Sequence, residues 1–246
     1  MIDLAVIDID GCLTPGVARD WNWSALQSIR ELNRRARDGE AVPPVTLCTG
    51  RQQPYVEVFM QAIGAYLPAI YENGCGMYLP DGFRFIQHPA ISPEVHEALA
   101  AARATLNTRL VKPGLAYFQP GREASLSLFP MPGTSLISLH ESVSGALSDD
   151  APSFSVQVSA ACVDVMPFGI DKGAGVRWLS DETGIPLAHM GGIGDSASDL
   201  RFLELVGRSA APANATAGVK AAVDDVSALQ DGEGVLDILQ HWCGCL

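Results

Sequence analysis

The chain lacks several features that would narrow its class at once. No apolar run in its 246 residues approaches the ~18 residues of a membrane span. Its start, Met1-Ile2-Asp3, has neither the basic residues nor the apolar stretch of a signal peptide, so a cytoplasmic protein is expected. Positive charge is scarce: 16 Lys and Arg stand against 28 Asp and Glu, a net charge of -12. Non-specific nucleic-acid binding needs a basic footprint, so neither nucleic acid nor membrane is expected as a partner. A small anionic substrate is not excluded. The positive charge that it needs must then be local: a metal, one or two basic side chains, or helix N-termini.

Cysteine patterning is also uninformative. None of Cys12, Cys48, Cys75, Cys162, Cys243 and Cys245 forms a C-x-x-C pair, and no spacing matches a zinc site. Reduced thiols acting as small hydrophobes are expected. The tail Cys243-Gly244-Cys245-Leu246 only loosely resembles a prenylation box, lacks a polybasic stretch before it, and reads as a frayed end. His88, His96, His140, His189 and His241 have no ligand-like spacing. There are no repeats.

What is present is an α/β rhythm. Strands are expected at Leu4 to Asp8, Val45 to Cys48 and Ala69 to Tyr71, with helices at Trp23 to Arg37 and Gln53 to Ile63 between them. This order implies a parallel sheet with right-handed crossovers. The pattern changes near Asn73-Gly74-Cys75-Gly76. From Phe83 to about Met166 it reads strand, helix, two strands, helix, two strands, with Pro120-Gly121-Arg122-Glu123 as a hairpin-like turn. The α/β rhythm returns with a helix at Lys172 to Thr183, a strand at Ala188 to Ile193, a helix at Asp199 to Leu205 and a strand at Ser209 to Ala211. The expected fold is a Rossmann-like three-layer core from residues 1–80 and 167–246, split by a smaller α+β cap at 81–166.

Four chemical elements fall at ends of core strands or starts of core helices: Asp8-x-Asp10, Thr49-Gly50-Arg51, Lys172-Gly173, and Gly194-Asp195-Ser196-Ala197-Ser198-Asp199. Ligands of open α/β sheets bind at that edge. Each element alone is weak: such residues commonly make turns, caps or solvated surface. Together they make one chemistry. Asp8 and Asp195 on neighbouring strands offer the oxygen ligands that a hard cation such as Mg²⁺ takes. A hydroxyl (Thr49), an N–H (Gly50) and an ammonium (Lys172) suit the oxygens of a phosphoryl group. A carboxylate can attack phosphorus, and a second one two residues on can manage protons.

This ordered set resembles the haloacid dehalogenase superfamily of phosphohydrolases. Asp8-Ile9-Asp10-Gly11-Cys12-Leu13 looks like its first motif, with Cys12 where threonine is usual; Thr49 looks like the second, Lys172 the third, and Asp195 with Asp199 the fourth, where Ser198 replaces the common asparagine. Asp164-Val165-Met166-Pro167-x-Gly169-x-Asp171-Lys172-Gly173, Ala213-Asn214-Ala215 and Glu72-Asn73-Gly74 resemble the Cof-type, sucrose-phosphatase-like branch. The resemblance implies that Asp8 is nucleophile and metal ligand. Asp10 would be the general acid/base, its backbone carbonyl also on Mg²⁺, and Asp195 would complete the ligands. Asp199, with Ser196 beside it, would orient Lys172 or Asp195. Thr49, Gly50, Arg51, Lys172, Asn73 and Asn214 are the candidate contacts to the substrate or its phosphate. Basic cap residues such as Lys112 and Arg122 would meet a second anion or only solvent. The expected activity is Mg²⁺-dependent hydrolysis of a small phosphate monoester (a sugar phosphate, phosphoglycolate or a glycosyl-glycerate phosphate) by a monomer or homodimer. A phosphomutase of the same superfamily is the nearest alternative, although the fourth motif leans toward hydrolysis. A catalytically silent binding module would have lost Asp8, Asp10 or Lys172, and all three are present.

Overall fold

A computed structural model describes residues 2–148, 153–159 and 161–243. The tail beyond Cys243 lies outside the described residues. The chain forms two compact units, Met1–Ile86 with Asp171–Leu246, and Gln87–Ile170.

The first unit is built on a five-stranded parallel sheet of order β12-β11-β10-β1-β2. Its strands are β1 (Leu4–Ile7), β2 (Val45–Leu47), β10 (Met190–Ile193), β11 (Arg208–Ala211) and β12 (Asp225–Val226). Alternation along β1 sends Ala5 and Ile7 to one face and Leu4 and Val6 to the other. The first face packs Leu26, Ile29 and Leu32 of α1 (Trp23–Arg37), Phe59 of α2 (Gln53–Ala62) and Ile238 of α8 (Asp231–Cys243). The second packs Val176 and Leu179 of α5 (Lys172–Thr183), Phe202 of α6 (Leu200–Leu203) and Val219 of α7 (Ala217–Ala222). Both faces of the sheet are thus covered, giving three layers. β1 is flanked by β10 and β2, whose crossovers run to opposite sides. The C-terminal ends of these three strands form the switch point of the sheet.

β3 (Ala69–Tyr71) continues beside β2 through a parallel bridge from Cys48 to Ile70. It then turns into antiparallel pairing with β4 (Gly76–Leu79), and β5 (Arg84–Gln87) adds to β4. Here the structure corrects the sequence reading. The strand near Phe83 belongs on this small sheet because the rings of Tyr78 and Phe85 stack at 4.9 Å and Phe83 meets both. The chain crosses into the second unit only after Ile86. Two further elements were missed. β12 is only two residues long, and the glycines of Asp231-Gly232-Glu233-Gly234 hide the start of α8. The helix expected from Asp199 to Leu205 is a single turn, Leu200–Leu203, with the Asp199 carboxylate turned back onto the preceding loop.

The second unit carries an antiparallel sheet of order β6-β7-β9-β8: β6 (Ala116–Phe118), β7 (Leu126–Pro130), β8 (Phe154–Val158) and β9 (Val163–Pro167). One face packs Leu126, Leu128, Val163 and Val165 against Leu99 and Ala102 of α3 (Pro93–Leu106) and Leu139 and Val143 of α4 (Leu136–Ala146). The alternate positions Ser127 and Asp164 are paired in register and hydrogen-bonded.

Candidate active site

Asp8 is the first residue past β1 and donates its N–H to the Ile193 carbonyl at 3.0 Å, so it is tied to the end of β10. Its side chain is 8% exposed. Lys172, the first residue of α5, is placed by Asp171, whose carboxylate caps the helix by accepting from Ala174 N–H at 2.9 Å. The Lys172 ammonium lies 2.9 Å from Asp8 Oδ2 and 2.5 Å from Asp199 Oδ1. Asp199 is fully committed: its Oδ2 accepts from the N–H of Asp195 at 3.1 Å, the N–H of Ser196 at 2.9 Å and the Ser196 hydroxyl at 2.8 Å. Asp8 Oδ1, by contrast, is buried with no hydrogen-bond partner among the described residues.

Carboxylate oxygens of Asp8, Asp195 and Asp199 lie within 4.8 Å of one another. Burial, then the charges of Asp199 and Asp10 against the opposing Lys172, pushes the Asp8 carboxyl up to about 7. Burial and the charges of Asp8 and Asp199 push Asp195 up to about 8. Lys172 is raised well above the usual amine range, because Asp199 and Asp8 outweigh the cost of burial. One buried ammonium therefore faces three acids, so the cluster is short of positive charge. A divalent cation fits this donor set. Asp8 and Asp195 are the carboxylates left to hold it, since Asp199 is already occupied.

The turn after β1 brings the motifs together. Gly11 has φ +86, and a Cβ there would lie 2.3 Å from Asp195 Oδ2, so only glycine lets this turn approach Asp195. Cys12 is buried, with its sulfur 3.9 Å from Asp195 Oδ1. Burial and the Asp195 charge hold its thiol well above the usual range, so it is neutral and unreactive.

Thr49 is buried just past β2, with its N–H on the Ile70 carbonyl at 3.1 Å and its hydroxyl accepting from Arg51 N–H at 3.2 Å. Gly50 lies under Asn73, where a Cβ would come within 2.8 Å of Asn73 Oδ1. Asn73 holds this position in a left-handed backbone, φ 54, with its N–H on the Thr49 carbonyl at 3.0 Å. Arg51 turns away from the acidic cluster. Its Nε and Nη2 donate to Asp10 Oδ2 and Oδ1, each at 2.6 Å, and its guanidinium lies 4.5 Å from the Tyr55 ring centroid. The Asp10 side chain is therefore paired with Arg51 and is not one of the clustered carboxylates. Asn214 donates to the Gly11 carbonyl at 2.7 Å and accepts from Asp231 N–H at 2.8 Å, tying the first motif to the start of α8. In this arrangement its amide is a structural tie.

In the second unit Lys112 is exposed, and Arg122 is half-buried against Gln119 Oε1 at 2.9 and 2.7 Å. The support behind Arg51 went unread in the sequence. Tyr55 packs edge-on against Trp21 at 6.1 Å, and Trp21 packs edge-on against Phe59 at 5.0 Å. The available signal was the spacing Arg51-x-x-x-Tyr55 at the start of a helix.

Residues 135–239 match a family model described as haloacid dehalogenase-like hydrolase. A phosphoglycolate phosphatase of Pyrobaculum aerophilum is 30% identical over 238 residues, 95% of this chain and 94% of that one. Another, of Methanopyrus kandleri, is 28% identical over 98% of this chain and 97% of its own length. A crystal structure of a Thermoplasma acidophilum protein superposes with a TM-score of 0.75 at 27% identity, covering 98% of each chain. The chain belongs to the haloacid dehalogenase superfamily. Its class within that superfamily is phosphatase. Among the described residues, no helix is long and apolar enough to cross a membrane.

Proposed function

We propose that the protein is a Mg²⁺-dependent phosphomonoester hydrolase that works through an aspartyl phosphate on Asp8, with phosphoglycolate or a close analogue as substrate. The observation that carries this reading is the Asp8 carboxylate: Lys172 holds one oxygen at 2.9 Å and the other has no partner. The free oxygen is available to attack phosphorus. The bond from Asp8 to phosphorus forms as the ester P–O bond breaks, and Asp10 gives the leaving oxygen its proton. The Asp10 carboxylate then takes a proton from water, whose oxygen attacks phosphorus and frees Asp8 and inorganic phosphate. Lys172 and the Thr49 hydroxyl hold the phosphoryl oxygens. Mg²⁺, held by Asp8, Asp195 and the Asp10 backbone carbonyl, would supply the positive charge that lets an anionic nucleophile meet an anionic substrate. Asp199 and Ser196 fix Lys172 and the Asp195 loop.

The substrate reading draws on the relatives, which are named phosphoglycolate phosphatases. The second unit, inserted between β5 and α5, is proposed as the cap that sets substrate specificity. The test is phosphate release from p-nitrophenyl phosphate and from phosphoglycolate with Mg²⁺, with and without EDTA. Release of phosphate from both that EDTA abolishes is expected. No metal-dependent release would overturn the hydrolase, and transfer that needs a bisphosphate activator would return the phosphomutase.

A further inference from the structure

The Arg51–Asp10 pair occupies both oxygens of the residue to which proton transfer is assigned, at 2.6 Å each. An acid/base must turn at least one oxygen toward the leaving group. The pair as seen is therefore closed, and turnover has to open it. Opening costs more than one neutral hydrogen bond, because a bidentate guanidinium–carboxylate contact is lost.

The two partners are not equally free to move. Arg51 has a second anchor in the face of Tyr55, and Tyr55 is itself packed against Trp21 and Phe59. Among the described residues, Asp10 has no side-chain hydrogen-bond partner but Arg51. When the pair opens, Arg51 stays and Asp10 swings. That leaves a guanidinium whose side chain is only 15% exposed without its counter-ion, a costly state unless another anion takes the place of Asp10. Arg51 also has three N–H donors not used on Asp10. Because Arg51 lies one hydrogen bond from the acid that must reach the leaving oxygen, an anion on the adjacent carbon of the leaving group falls within its reach.

We propose that Arg51 is a latch on Asp10 that the carboxylate of the substrate opens, so that the site selects phosphate monoesters of 2-hydroxy carboxylic acids through turnover as well as binding. This deepens the phosphatase reading and rests on Asp10 as its acid/base.

The test compares three probes with Mg²⁺: 2-phosphoglycolate, ethyl phosphate, which lacks the carboxylate, and p-nitrophenyl phosphate, which scarcely needs a proton donor. The wild type should turn over phosphoglycolate faster than ethyl phosphate in kcat. Arg51→Ala should reduce that kcat ratio by on the order of 10- to 100-fold, the worth of a charge-assisted contact. Arg51→Lys keeps the charge but cannot span both Asp10 oxygens. It should keep the KM for phosphoglycolate within a few-fold while its kcat ratio still falls. An unchanged kcat ratio in both variants, with only the KM for phosphoglycolate raised, would overturn the latch and leave a simple carboxylate grip. Equal losses on all three probes would also overturn it, as a merely structural role predicts. Failure of the wild type on p-nitrophenyl phosphate would instead sink the hydrolase reading itself.

Discussion

Asp8 and Asp10 leave one strand two residues apart, and their carboxylates end in opposite surroundings. Asp8 joins a closed network: Lys172 and Asp199 are 3% and 0% exposed, and Asp199 is further held by three donors. Asp10 joins a single pair with Arg51, 24% and 15% exposed, backed by aromatic rings. The first arrangement cannot be opened without stranding a buried charge; the second can be opened by one competing anion. On the proposed mechanism, nucleophilic attack needs a fixed oxygen and proton transfer a movable one. The difference in burial matches that division of roles.

The largest effects should come from breaking the closed network. Asp8→Asn should lower phosphate release by on the order of 10⁵-fold, as for other nucleophiles removed from a catalytic unit, while leaving the circular dichroism spectrum unchanged. Near-wild-type turnover would end the nucleophile assignment. Lys172→Met should be nearly as inactive, and also unstable. It strands Asp199 and Asp8 in the interior, which costs about 3–5 kcal/mol. In a chain of this size that lowers Tm by roughly 10 °C. A Tm within a degree or two of wild type would show that the network tolerates loss of its cation.

The more exposed Arg51–Asp10 pair predicts a smaller and more selective effect. Asp10→Asn should slow alkyl phosphates by about 10²–10⁴-fold and p-nitrophenyl phosphate by much less, because only the poor leaving group needs a proton. Equal losses on aryl and alkyl esters would remove Asp10 from proton transfer.

The pH dependence of stability separates the two regions further. The Asp8 and Asp195 carboxyls are raised to about 7 and about 8 from 3.8. Between those values the native state holds protons that the unfolded chain has lost, so stability falls as pH rises through that window. The contribution is fully present below 3.8 and lost once pH exceeds the raised values. In EDTA, Tm should decline from pH 5 to pH 8, and Asp195→Asn should flatten that slope. Mg²⁺ should restore Tm at the upper end by binding the ionised pair. A wild-type slope matching that of Asp195→Asn would contradict this account.

The sheet and the buried cluster were legible in the sequence because each rests on local pattern. The run Leu4-Ala5-Val6-Ile7 reads as a strand buried on both faces, and acids at the tips of such strands stand out. The chain order alone puts Asp8, Thr49 and Asp195 at the ends of core strands and Lys172 at the start of a core helix. What was not legible depends on contacts between distant residues. Nothing near Arg51 in sequence says that its partner is Asp10. Nothing near Asn214 says that its amide spans from Gly11 to Asp231. Phe83 and Phe85 read as a strand, but only their packing on Tyr78 says which unit owns it. Burial also cannot be read from a motif, so the contrast between the two aspartates was invisible.

Cys12 gives the smallest expected effect and the finest test of the closed region. It stands where a threonine is usual in the first motif, with its thiol 3.9 Å from Asp195 Oδ1. That is a weak contact, and the raised thiol carries no charge to add to the crowded acids. Cys12→Thr would place a stronger donor beside Asp195 without changing charge. A hydroxyl donating to Asp195 stabilises its ionised form, so the Tm decline in EDTA should shift to lower pH, and Mg²⁺ should bind somewhat more tightly. Buried side chains here leave little room, so the gain should stay within about 1 kcal/mol, the worth of an ordinary hydrogen bond. kcat should change by less than about fivefold, since Cys12 touches neither the free oxygen of Asp8 nor the Arg51 pair. A loss of a hundredfold would mean that the thiol has a part in the chemistry that its burial and neutrality argue against.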